Sequence, residues 1–318
     1  MTMQEKRVQL YPGFFVDHSS LPKSEIQHLV FTDIEDPRCR SLEKEEVFNV
    51  FDTDDEGGIF ECYDVTSKTA YICSESGLFE MPAGSQFWFE PVRQVETIEG
   101  LDRIDTNQVK SMEGMFYDCN KLKDLDLTHW STGKVENMSR MFAECSSLTR
   151  LNLNGWNVEN VTDMFQMFSN CSSLKALSVD AWNTANVSEM SQTFHGCRSI
   201  TDTSFCSWWN TENVLSMDHM FSACISLKEA CLPGFDTSKV VSMRNMFRSC
   251  VALERINLSG ASTPQSPDLD SIFKNCVSLK EFILPRHPMQ ARSLKKAAKE
   301  RIQKNQERQA SKKEDKNL

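Results

Sequence analysis

One frame of residues recurs through most of the chain and limits the fold more than any other feature. Its fullest copy runs from Val135 to Trp156. Val135, Met138, Met141, Phe142, Cys145, Leu148, Leu151, Leu153 and Trp156 are apolar, with mostly polar residues between them. Equivalent positions fall at Met115, Met141, Met167, Thr193, Met220, Met246 and Ile272, spaced by 26 residues except for one step of 27. A fixed period of this length marks a solenoid, in which each unit buries its apolar residues only against its neighbours. Stacking turns positions into ladders. One is Phe116, Phe142, Phe168, Phe194, Phe221, Phe247 and Phe273; a second is Cys119, Cys145, Cys171, Cys197, Cys224, Cys250 and Cys276. An aromatic ladder of Trp130, Trp156, Trp182, Trp208 and Phe235 closes each coil.

Within a unit, the spacing of Val135, Met138, Met141, Phe142 and Cys145 predicts one face of a short helix. Leu151 and Leu153 alternate as in a strand. Corners such as Asn183-Thr184 and Asp236-Thr237 carry short side chains that satisfy backbone groups at turns and helix starts. One repeat is therefore expected to be corner, short helix, loop and short strand. With strands about 4.8 Å apart, seven coils and a cap predict a sheet on the order of 40 Å long. The frame weakens at Thr193 and Thr203, and at Trp208-Trp209, where the extra residue predicts a bulge. Ala261 replaces the expected Trp, and the Ser/Pro-rich run from Ser262 to Pro267 reads as a loop.

The consensus Val-x-x-Met-x-x-Met-Phe-x-x-Cys-x-x-Leu-x-x-Leu-x-Leu-x-x-Trp resembles the BspA-like leucine-rich-repeat surface proteins, in the lactobacillus-type surface-repeat branch. The likeness extends over roughly 98–284, and Ile98-Glu99-Gly100-Leu101-Asp102 with Asp105-Thr106, Val109 and Met112 resembles that family's first coil. The resemblance implies an α/β leucine-rich-repeat-like solenoid of about seven coils, and bacterial surface adhesion or host interaction. It carries no catalytic residues.

Before the repeats, residues 1–24 read as a loose arm, with Phe14-Phe15 pinned to a cap over 25–97. Ile26 to Thr32 reads as a strand and Ser41 to Phe51 as a short helix. Ile59–Tyr63 and Thr69–Cys73 read as a hairpin. Phe89, Val92, Val95 and Ile98 form a divergent first coil. The acidic run from Asp52 to Gly58 lacks the bidentate Glu of a calcium loop and reads as a turn. The solenoid is expected over 98–285 and a basic helical tail over 286–318, where Leu294, Ala298 and Ile302 form a thin apolar stripe. That tail holds 11 Lys/Arg against 4 Asp/Glu in a chain of net charge −10. An acidic body repels nucleic acid and anionic membrane, whereas the tail could cap the stack or bind either.

No chemistry-bearing constellation is apparent. The ladder cysteines read as buried reduced hydrophobes. Cys39, Cys62, Cys73, Cys206 and Cys231 show no CxxC spacing, and none of the six histidines has metal-ligand spacing. His195 and Cys197 are close in sequence, but Cys197 belongs to the core ladder. No phosphate-binding Gly loop or nucleophile elbow occurs, so an enzyme, a metal and a cofactor are not expected. No membrane-length apolar run and no wall-anchor motif are present, and Met1 to Val16 lacks a signal-peptide core. Surface or secreted location follows from the resemblance, and cytoplasmic location from the missing leader.

The expected binding surface is the solvent side of the strands, where residues repeat in rows: Asp124, Arg150, Asp202, Glu229 and Arg255 in one, Asp126, Asn152, Ser178, Ser204 and Asn257 in another. The sequence thus points to a protein or glycan partner on this face. An intracellular scaffold or effector, and a nucleic-acid or anionic-membrane tether acting through the tail, are the alternatives.

Overall fold

The computed structural model describes residues 7–10, 14–15, 19, 21–41, 47–51, 58–179, 181–262, 268–283 and 292–314. The acidic run at 52–57 and the Ser/Pro-rich run at 263–267 lie outside them. In the N-terminal part, β1 (Val8–Gln9), β2 (His28–Asp33), α1 (Pro37–Arg40), β3 (Val47–Phe51), β4 (Ile59–Asp64), β5 (Thr69–Ser74), β6 (Phe79–Glu80), β7 (Thr97–Glu99) and β8 (Ile104–Asp105) follow in order. They build a mixed five-stranded sheet, order β3-β4-β5-β2-β7, and a parallel three-stranded sheet, β1-β6-β8. The hairpin expected at 59–73 is the antiparallel pair β4–β5, and the strand expected at 26–32 is β2. Of the helix expected at 41–51, residues 42–46 lie outside the described residues, and 47–51 instead pairs with β4 as a strand, consistent with its β-branched and aromatic residues. Gly100 links β7 to β8 at φ 77°, and a Cβ there would lie 2.1 Å from the Phe31 carbonyl oxygen, so only glycine fits.

The repeats overturn the expected fold class. Among the described residues none contains an α-helix, and the chain is a mixed β-sheet fold rather than a leucine-rich-repeat solenoid of helix–strand coils. Beyond the N-terminal sheets it has the parallel pair β9 (Arg150–Asn152) and β10 (Ala176–Ser178). It also has the parallel trio β11 (Glu229–Cys231), β12 (Arg255–Asn257) and β13 (Glu281–Ile283). The helix fails for a backbone reason. Two residues per repeat are left-handed, for example Arg140 (φ 54°) and Glu144 (φ 67°), then Gln166 and Asn170, then His219 and Ala223. A left-handed residue every fourth position breaks the i→i−4 series. Instead, amides alternate. Met141, Ala143 and Cys145 close turns onto the carbonyls three residues back, while Arg140, Phe142 and Glu144 donate to Phe165, Met167 and Ser169 of the next repeat. A column of single parallel bridges at Gly84, Ser111, Asn137, Asp163, Glu189, Ser216, Ser242 and Asp268 records the same stacking.

The core is continuous from Val8 to Ala298. Phe89, Phe116, Phe142, Phe168, Phe194, Phe221, Phe247 and Phe273 stack 4.8–6.0 Å apart with planes within 18°. Such offset stacking adds to the area these rings bury. Phe89 joins the stack by lying against Phe116 at 4.8 Å. The cysteines earn their place by a directed bond as well as by size: Cys145, Cys171, Cys197 and Cys224 each donate Sγ–H to the Phe carbonyl of the previous repeat at 3.1 Å. The aromatic ladder is corrected at one rung. Trp209, not Trp208, is buried and stacks on Trp182 at 5.8 Å.

α2 (Arg292–Glu314) closes the far end. Leu294 and Ala298 are buried, and Ile302 packs alongside. Arg301 Nε and Asn305 Nδ2 donate to the Cys276 carbonyl at 3.0 and 2.9 Å, and Asn305 Nδ2 also reaches Leu279 O at 3.2 Å, which ties the helix to the last repeat.

Candidate functional site

Each short strand in the repeats turns its middle residue inward and its flanking residues outward. Leu151 is buried between exposed Arg150 and Asn152, and Ile256 is buried between Arg255 and Asn257. Register aligns Arg150 with Ala176, Asn152 with Ser178, Glu229 with Arg255 and Glu281, and Cys231 with Asn257 and Ile283. The expected rows therefore exist, but in two blocks. Asp124, Asp126, Arg150, Asn152 and Ser178 come together around a shallow depression of about 460 Å³, with Leu125, Thr128, Leu151 and Ala176 completing its lining. Glu229, Arg255 and Asn257 lie on the second sheet. Asp202 bridges Glu229 in parallel and extends the row of the second block, whereas Ser204–Cys206 forms a 3-10 turn instead of a strand, so Ser204 sits at a break in the face.

Charges alternate across repeats. Arg150 pairs with Asp124 at 3.6 Å, Arg255 pairs with Glu229, and Lys280 pairs with Glu254 at 3.0 Å. These pairs are largely exposed and worth little for stability, so the charges stay available to a partner. Asp126 accepts the Thr128 hydroxyl at 2.7 Å and its amide at 3.0 Å, which holds its carboxyl below the usual range. Asp202 is lowered in the same way by the Ser204 hydroxyl and amide. Asn152 and Asn257 likewise accept the amides of Asn154 and Ser259. Turn formation thus accounts for the Asx character of this row, while the outward atoms remain at the surface.

A family profile described as Mycoplasma protein of unknown function, DUF285, matches residues 86–208, 175–285 and 201–307. The chain belongs to the DUF285 family. No curated protein matches. Two solved structures are similar. One is the TLR13–ssRNA13 complex, with 16% identity, 66% of this chain and 36% of that chain covered, and a TM-score of 0.27. The other is a leucine-rich cell surface protein of Faecalibacterium prausnitzii A2-165, with 14% identity, 76% and 96% covered, and a TM-score of 0.23. This chain thus spans little more than a third of the first of these chains. At these values neither structure carries an argument about fold or function. None of these matches singles out the BspA-like branch.

In this DUF285 chain Cys197, close to His195 in sequence, is a packing residue. Cys197 is buried and bonded to Phe168 O, and burial pushes its thiol well up, so it forms no pair with His195. Burial, chiefly, lowers both His195 and His219, whose rings meet edge-on at 6.1 Å. Among the described residues no group of three or more His, Cys, Asp or Glu could hold a metal, and no helix is long and apolar enough to cross a membrane. Sequence reasoning missed the exposure of Trp208, because its frame assigned that residue to the core. The only signal was the extra residue in the 27-residue step.

Proposed function

We propose that the chain is a non-enzymatic binding protein that takes a protein or glycan partner on its outward strand face, in adhesion or host contact at a bacterial surface. The observation supporting this is the depression between Asp124, Asp126, Arg150, Asn152 and Ser178. It offers fixed carboxylate, guanidinium, amide and hydroxyl groups on parallel strands, around a small apolar floor. The buried, protonated cysteines argue against a thiol nucleophile and fit a structural role. Arrays of immobilised extracellular proteins and glycans, probed with the full chain and with an Asp126→Lys/Arg150→Glu variant, test the reading. Specific binding lost in the variant supports it. Binding unchanged in the variant refutes the face.

A second reading has its own observation. Lys295, Lys296, Lys299, Lys304 and Arg308 are exposed on α2, while its apolar stripe faces the stack. This basic surface suits a nucleic acid or anionic membrane, and would go with an intracellular tether, scaffold or effector. Salt-sensitive binding that vanishes on Lys295→Glu/Lys296→Glu/Lys299→Glu would favour it. Protease treatment of intact producing cells separates the surface and intracellular locations.

A further inference from the structure

The one 27-residue step in the array places a tryptophan outside the molecule. Trp209 takes the core rung, stacking on Trp182 and tilting against Phe194 at 5.9 Å. Trp208 is thereby left 80% exposed. The residues at its position in other repeats are His129, Gly155, Ala181, Gly234 and Gly260. In the next repeat, Gly234 N donates to Ser207 O at 3.0 Å, and a Cβ on Gly234 would stand 2.9 Å from Trp208 Cα. The chain passes so closely there that no side chain fits, and Ala181 offers only a methyl on the other side. The indole therefore rises from a row of small neighbours.

The corner residues beside it are Asn183, Asn210 and Asp236. Their Oδ1 atoms accept the amides of Ala185, Glu212 and Ser238 at 3.2, 3.0 and 2.8 Å. This fixes the side chains and leaves the exposed Asn183 and Asn210 to present their Nδ2 donors in set directions. From Ser199 to Leu227 there is no Lys or Arg, while Asp202, Glu212 and Asp218 are acidic. From the next repeat one cation, Lys239, donates Nζ to Asn213 Oδ1 at 2.6 Å; the acidic balance of the repeat itself disfavours polyanions. A protein hot spot gathers large apolar neighbours around its anchor, and this row supplies glycine and alanine.

We propose that Trp208 is the stacking platform of a site for neutral oligosaccharides, with the corner amides Asn183 and Asn210 binding hydroxyls at its rim. The ligand class is a β-linked neutral hexopyranose chain, whose ring faces carry C–H bonds that lie against the indole while its hydroxyls meet neutral donors and acceptors. The proposal rests on the partner-binding reading above and narrows it to glycan, at a spot beside the break in the strand face.

The test uses the full chain on an array of neutral β-linked gluco- and galacto-oligosaccharides, with sulfated oligosaccharides alongside. Hits are titrated by calorimetry against the native chain, Trp208→Ala, Trp208→Phe and Asp126→Lys/Arg150→Glu. Trp208→Ala should weaken neutral-glycan binding at least tenfold, with Trp208→Phe retaining most of it. The melting profile should be nearly unchanged, because the side chain is exposed. Neutral-glycan binding that survives Trp208→Ala but is lost in Asp126→Lys/Arg150→Glu overturns the platform and leaves the strand-face reading standing. Absence of any neutral-glycan binding, or binding of sulfated chains alone, overturns the glycan assignment. A protein partner lost on Trp208→Ala without glycan binding also overturns it, while preserving the broader reading.

Discussion

The threonine row at the corners provides a quantitative test of how the repeats hold together. Thr106, Thr132, Thr184, Thr211 and Thr237 are buried, and each donates its hydroxyl to a carbonyl in the next repeat, at 2.7–3.0 Å. Val158 occupies the same position, 1% exposed. Stacking places it against Asn183, and among the described residues no hydrogen bond to the Asn183 carbonyl is formed. A net hydrogen bond of this kind is worth about 1 kcal/mol, and removing a donor from a buried acceptor costs about 1–3 kcal/mol. The same chemical exchange should therefore have opposite signs at neighbouring rungs. Val158→Thr is expected to raise stability by about 1 kcal/mol, and Thr184→Val to lower it by about 1–2 kcal/mol. Urea unfolding of both variants measures this. The slope must stay constant, and coincident probes must show that the array unfolds cooperatively. Hydrogen exchange at the corner amides would locate the effect. If Val158→Thr destabilises by more than about 1 kcal/mol while Thr184→Val changes stability by less than about 0.5, the row is held by packing and the hydrogen-bond account is wrong.

Other predictions follow from the same geometry. Ala223 is left-handed at φ 61°, so Ala223→Gly should stabilise the chain by about 1 kcal/mol in urea unfolding, and a loss of stability would show that the methyl contact outweighs backbone strain. Burial raises the ladder thiols, with Cys224 pushed up to about 12, while Cys231 is exposed. Iodoacetamide at pH 8 should therefore modify Cys231 and spare the seven ladder positions in the native chain, as peptide mapping would show. His195 and His219 are lowered mainly by burial, so the unfolded chain binds more protons near an ordinary imidazole pKa of about 6.5. Their contribution is fully present above that value and is lost as pH falls through the lower folded pKa values. His195→Gln should flatten the decline in stability between about pH 7 and 5, and an unchanged pH profile would contradict the assignment.

The same residues show why the sequence made some features legible and hid others. Period, ladders and burial could be read because apolar identity at Phe142, Cys145 or Leu151 is imposed by neighbouring repeats, and a side chain buried in a stack must repeat with it. The backbone path was hidden because a spacing of three, three, one and three suits a helix and a series of tight turns equally well. What separates them is handedness, which Gly114, Asn170, Gly196, Asn245 and Asn275 signal at some repeats but Arg140, Glu144, Gln166 and Ala223 do not at the equivalent positions of others. Their conformation is fixed by inter-repeat amides such as Phe142 N to Met167 O, a cause that no local window contains. The strand-face rows were legible through alternation, which is local. The break at 204–206 and the outward Trp208 were not, because an insertion can be absorbed on either side of Trp209. The 5.8 Å stack of Trp209 on Trp182 decides it. In a chain built this way, regular positions report the demands of packing. Departures from the period mark where the packing requirement is relaxed and a side chain is free to serve the surface.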